Sequence, residues 1–181
     1  HPHVLELWQN NILFFNKFAP DIPALVEIQK KVSHIGILTP GGTVLSVTYD
    51  LAFQAGANPI VFVGQDLSYP KSKSHSHGSE AAGKGLKFMM DKQKDQLVME
   101  TDINGKSLRT LKSMAVSKQW FEWAFTNLKR DNPLMVINSS EAGILTDHCS
   151  LQPLSETIFK HCAKKLNVSW ILKKALKRKN R

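Results

Sequence analysis

The chain has little cysteine, no long apolar run and, toward its end, no negative charge. Cys149 and Cys162 lack the close pairing of a metal site, so they read as free thiols in a reducing compartment, with the cytoplasm as the expected location. No apolar stretch reaches the roughly 18 residues that a membrane-crossing helix needs. No signal-peptide pattern opens the sequence, and it begins with His1 rather than Met, as a stretch cut from a longer protein does. Neither a Walker loop nor the Gly-x-Gly-x-x-Gly dinucleotide fingerprint is present.

What is present suits one globular domain with a sizeable core: 181 residues, 42% apolar and 22% charged. The net charge of +9 is confined to one end. After Glu156 there is no acidic residue, whereas Lys160, Lys164, Lys165, Lys173, Lys174, Lys177, Arg178, Lys179 and Arg181 supply nine positives, leaving 15 basic against 15 acidic residues elsewhere. A neutral body with a basic tail argues against a specific nucleic-acid partner and for a solvated end, with an acidic partner or anionic membrane surface left open. The expected division is an N-terminal helical segment over 1–32, an α/β domain over 33–160 and a basic tail over 161–181.

Along the chain, Val4 to Phe18 reads as a packed helix, followed by a break at Pro20-Asp21-Ile22-Pro23 and a second helix through Lys31. His34 to Leu38 is a short buried strand entering the turn Thr39-Pro40-Gly41-Gly42. Val44, Val47, Leu51 and Ala55 recur at helical spacing, and Gly56 closes that helix. Pro59 to Val63 is apolar without alternation, as in a strand covered on both faces. Strand, helix and strand together predict a βαβ unit. Ser68 to Gly85 is a long loop, Leu97 to Ile103 a strand ending in the turn signal Asn104-Gly105, and Leu108 to Leu128 a long helix with Trp120 and Trp123 in core or interface positions. Leu134 to Ile137 is another buried strand, Pro153 to Leu166 a helix, and the tail from Ser169 a basic amphipathic helix. The fold class is α/β, with a mostly parallel sheet of about four to six strands.

Ligands of open α/β sheets bind beyond the carboxyl ends of the strands. Three polar segments fall there: Thr39 to Thr43, Gly64 to Tyr69, and Asn138 to Gly143. Free amides at a helix start favour an anion, and Thr43 can both cap the helix and donate to a phosphate, although a Gly-Gly pair serves an ordinary turn equally well. Asp66, directly after a buried strand, suits a ribose hydroxyl, a metal, a transferred proton or a plain turn cap. His75 and His77 lie in the long loop without an evident third metal ligand, so no metal site is expected, and a loop histidine acting as general acid fits better. Glu141 sits at the third strand end and caps a turn or faces a ligand.

The stretches "GGTVLSVTYDLAFQAGANPIVFVGQDLSYP", "HSHG", "METDINGKSLRT" and "INSSEAGILTDHCSLQPLSE", in that order, resemble the motility accessory factor (Maf) flagellin glycosyltransferase family and its relative, the 6-hydroxymethylpterin diphosphokinase MptE. The resemblance implies a Rossmann-like three-layer sandwich, sialyltransferase-like, that transfers a nonulosonic acid such as pseudaminic or legionaminic acid from a CMP donor to Ser or Thr of flagellin, without a required cofactor. It places Gly41, Gly42, Thr43, Gly64, Asp66, Asn138 and Ser139 at the nucleotide, and His75, Asp66 and Glu141 in catalysis. The family has two glycines after this Glu, whereas here Ala142 precedes Gly143. It also has an upstream strand and glycine turn that residues 1 to 33 do not show, which implies a partial domain lacking the first nucleotide-binding half. The alternatives are a pterin pyrophosphokinase using ATP and Mg2+, and a non-catalytic nucleotide- or partner-binding fragment.

Overall fold

The described residues form three small sheets joined by helices. The computed structural model describes residues 6–7, 14–32, 35–69, 92–128, 131 and 133–170. In chain order the elements are β1 (Asn16–Lys17), α1 (Pro23–Lys31), β2 (Ile37–Leu38), α2 (Val44–Gln54), β3 (Ile60–Phe62), β4 (Leu97–Thr101), β5 (Ser107–Leu111), α3 (Lys112–Asn127), β6 (Val136–Asn138), β7 (Ser150–Leu151) and α4 (Leu154–His161). This is a mixed α/β chain with parallel pairing in two of its sheets.

The N-terminal segment departs from the expected helix. Residues 14–18 are not helical, and β1 pairs in parallel with β2, Asn16 opposite Ile37 and Lys17 opposite Leu38. Phe14, Phe15, Asn16 and Phe18 are indifferent helix formers, and the Asn16 side chain donates instead to the Ile35 carbonyl at 3.1 Å. An upstream strand therefore does exist within residues 1–33, followed by a Pro20-Asp21 turn in place of a glycine turn. α1 starts at Pro23, which needs no amide partner in a first turn, and ends with Lys30 and Lys31 against the negative end of the helix dipole.

β2 and β3 run into and out of α2 as expected, but among the described residues they are not hydrogen-bonded neighbours. β2 stops after two residues because the Thr39 amide is taken by Asp50 Oδ2 at 2.6 Å and Pro40 has no amide. The largest described sheet is the parallel set β3-β6-β7, smaller than the four to six strands expected, with Ile60 opposite Val136 and Ile137 opposite Ser150. All three residues of β6 are buried.

The reading of Leu108 to Leu111 as the start of a long helix is also overturned. Asp102 Oδ1 accepts the amides of Asn104 and Lys106, both at 2.8 Å, and this closed turn folds β5 back on β4 as an antiparallel hairpin. α3 begins only at Lys112. The helix expected over Pro153 to Leu166 is limited to α4, and residues 171–181 of the tail lie outside the described residues.

An aromatic cluster locks these pieces together. Tyr49 of α2 lies 5.9 Å from Phe62 of β3 and 6.2 Å from Phe121 of α3, and Phe62 meets Phe121 edge-on at 5.3 Å. Phe121 is 0% exposed. Offset and edge-on contacts are the favoured aromatic geometries, so the cluster adds specificity to the apolar burial. The turn before α2 packs on the same cluster. A Cβ at Gly41 would lie 2.1 Å from Trp120 Cδ2, so glycine there is a condition for seating the turn on α3.

Gly41→Ala is therefore expected to cost about 2 kcal/mol by overpacking. Chemical denaturation of a double-mutant cycle checks this: the loss should shrink in a Trp120→Leu background and stay constant if the contact is unimportant.

Candidate functional site

A cavity of about 960 Å³ opens beyond the carboxyl ends of β3 and β6. Its base is built by the polar run that ends β6. Asn138 is 1% exposed, its Nδ2 donates to the Leu145 carbonyl at 2.8 Å, and its Oδ1 accepts the Ser140 amide at 3.0 Å. The Ser139 and Thr157 hydroxyls are hydrogen-bonded at 2.9 Å, which fastens α4 to the sheet, and Ser140 Oγ accepts the Gln65 amide at 2.9 Å. These three side chains make the walls of the cavity rather than projecting as free donors.

Two carboxylates line it, Asp66 and Glu141. Asp66 is held by its backbone: its carbonyl accepts the Ile144 amide at 2.8 Å, and a Cβ on Gly143, whose φ is +108°, would stand 2.3 Å from that carbonyl oxygen. The next residue, Leu67, is buried with φ +49°, a strained left-handed conformation for a bulky side chain, and its carbonyl accepts the Thr110 hydroxyl at 3.0 Å. Burial raises the Asp66 pKa above its ordinary value of 3.8, and the charge of Glu141 raises it further. Asp66 is thus a better proton acceptor near neutrality than an ordinary aspartate.

The entry to α4 is also part of the lining. Pro153, Leu154 and Ser155 line the cavity, and no side-chain hydrogen bond caps this helix. Its first-turn amides have no partner within the helix and carry the positive end of its dipole. Gln152 also lines the cavity, and its Oε1 is buried without a hydrogen bond among the described residues. The lining therefore holds both carboxylates and the start of a helix.

Comparison with known families adds an independent finding. Residues 1–72 match the family model described as 6-hydroxymethylpterin diphosphokinase MptE-like. The MptE-like stretch carries β1 through β3 together with Gly64 and Asp66, and it ends before the Asn138 segment. No curated protein and no solved structure matches the chain.

Of the residues expected at the site, the cavity gathers Gly64, Asp66, Asn138, Ser139 and Glu141. Gly41, Gly42 and Thr43 are not in its lining. The Gly41 amide donates to Ser46 Oγ at 2.6 Å, and Thr43 Oγ1 caps α2 by accepting the Ser46 amide at 3.3 Å. His75 and His77 fall outside the described residues. Among the described residues no cluster of His, Cys, Asp or Glu is arranged to hold a metal. Cys149 is no nucleophile, because burial first, then the charges of Asp147 and Glu122, push its thiol up to about 11.

Sequence reading missed Gln152, Leu154 and Ser155, although Pro153 marked a helix start. It also did not foresee that Gly143, rather than residue 142, is the position where glycine is required. Gly143→Ala should destabilise the protein by about 3 kcal/mol through backbone strain and collision with Asp66. Ala142→Gly should shift the denaturation midpoint by less than about 1 kcal/mol, and an equal effect of the two would remove the special role of Gly143.

Proposed function

We propose that the cavity is the donor site of a transferase acting on a nucleotide-activated substrate, and that this substrate is a CMP-linked nonulosonic acid delivered to a Ser or Thr hydroxyl of flagellin. The observation that supports this most is that Asp66, a carboxylate with a raised pKa, and the uncapped start of α4 line the same nucleotide-sized cavity. In this reading the donor phosphate lies against the α4 amides, which stabilise the charge that develops as it leaves. Asp66 accepts the proton of the acceptor hydroxyl while its oxygen bonds to the anomeric carbon. The bond from that carbon to the phosphate oxygen breaks, and His75 protonates the departing CMP. Gly64, Asn138 and Ser139 frame the nucleotide, and Glu141 adds to the burial that keeps the Asp66 pKa high.

A second reading, pyrophosphoryl transfer from ATP to a hydroxymethylpterin, draws on the family match and on the two carboxylates. Asp66 and Glu141 offer the hard oxygens that Mg2+ takes alongside substrate phosphates, and the ion would neutralise adjacent phosphates there. Calorimetric titration separates the two. Binding of CMP without metal supports sugar transfer, binding of ATP only with Mg2+ supports the kinase, and binding of neither points to a non-catalytic module.

Asp66→Asn should lower turnover at least about a hundredfold with little change in nucleotide affinity. It also has a stability signature. The folded-state pKa of Asp66 is raised, so its ionisation destabilises the fold progressively as pH rises from 3.8 to the raised folded value, fully above that value and not at all well below 3.8, where the group is protonated in both states. The variant should thus melt higher than the parent at neutral pH and at the same temperature in strong acid. A lower Tm at neutral pH would contradict the assignment. His75→Ala should reduce kcat by about a hundredfold or more while CMP affinity holds, and unchanged kcat would exclude it as the acid.

A further inference from the structure

We propose that the surface formed by α4 and residues 162–170 docks on an anionic lipid bilayer, as a peripheral contact and not a span. This segment carries a series of exposed apolar side chains: Phe159 is 84% exposed, Leu166 66% and Trp170 57%, with Ile158 and Val168 also exposed. Lys160, His161, Lys164 and Lys165 are interleaved with them and are themselves exposed. Glu156 is paired with Lys160, and no acidic residue follows it in the sequence, while nine basic ones do. Aromatic and aliphatic side chains set among lysines, with no acid beyond Glu156, match the two parts of an anionic membrane surface: an apolar boundary into which rings insert, and headgroup charge above it.

Charge decides among occupants. A second copy would bring two nine-positive ends together, which repulsion opposes. The rest of the chain is neutral and offers no acidic surplus to cover the segment. No helix of the described residues is long and apolar enough to cross a membrane, so the contact is interfacial. The geometry also relates this surface to the cavity, since α4 begins at the cavity wall with Leu154 and presents Ile158 and Phe159 about one turn later, roughly 6 Å along its axis. Docking would hold the cavity mouth close to the headgroups.

The test is co-sedimentation of the full chain with vesicles of phosphatidylcholine alone or with roughly 30% phosphatidylserine, at about 0.1 M and about 0.5 M salt. Binding should require the anionic lipid, fall about fivefold or more at the higher salt, and weaken about tenfold in Phe159→Ser/Trp170→Ser. The Tm of this variant, measured alongside, separates lost binding from lost folding, and Lys164→Gln/Lys165→Gln should also weaken binding. Absence of sedimentation, equal binding to both vesicle types, or full binding by the aromatic variant would overturn the proposal. So would tighter binding of an acidic peptide or of single-stranded RNA than of the anionic vesicles.

Discussion

One buried side-chain amide holds the site in shape. Asn138 ends the central strand β6 almost fully buried, and its two polar ends are bonded to the loop that follows, one to Leu145 and the other to Ser140. A buried amide left unbonded is costly, so the loop has little freedom to adopt another course. Through Ser139 that loop fixes α4, through Ser140 it fixes the residue before Asp66, and through Ile144 it fixes Asp66 itself. Every wall of the cavity is within one or two hydrogen bonds of this asparagine. Its importance is architectural, and any contact with a ligand comes through the backbone it arranges.

Much of the local structure was legible because local chemistry dictates it. Pro23 and the terminal lysines bounded α1, Thr43 and Gly56 bounded α2, and the apolar runs of β3 and β6 announced strands, of which β6 is buried throughout and β3 only in part. Legibility ended where tertiary partners override pattern. Leu108 and Leu111 have a spacing that suits a helix as well as a strand, and the decision came from Asp102 closing a turn several residues earlier. Phe14 to Phe18 is apolar enough for a helix, yet its backbone partners lie about twenty residues away in β2. The break in the sheet beyond β2 depends on Asp50 reaching back to the Thr39 amide, a contact that no periodicity records.

The site shows the same division. Asp66, Asn138 and Glu141 were found from their position after strands, and the cavity unites them. The paired glycines at 41 and 42 drew attention as an anion cradle, but a small residue at position 41 is demanded by the indole of Trp120, and its amide is bonded within the turn. Glycine marks a close approach of the backbone without saying to what. The uncapped helix start that does face the cavity carries no glycine at all, only Pro153, Leu154 and Ser155, and so leaves no conspicuous mark in the sequence.

The tip of the β4–β5 hairpin has a bearing on all this. The Ile103 amide bonds to the Gly143 carbonyl at 2.9 Å, while the residue after Gly143 bonds to Asp66 and the residue after Asp66 is strapped by Thr110 back to β5. These bonds close a loop of force that runs from hairpin to carboxylate and returns. A tilt of the hairpin would therefore strain the bonds that position Asp66, and a ligand settling beside that carboxylate would act on the same bonds.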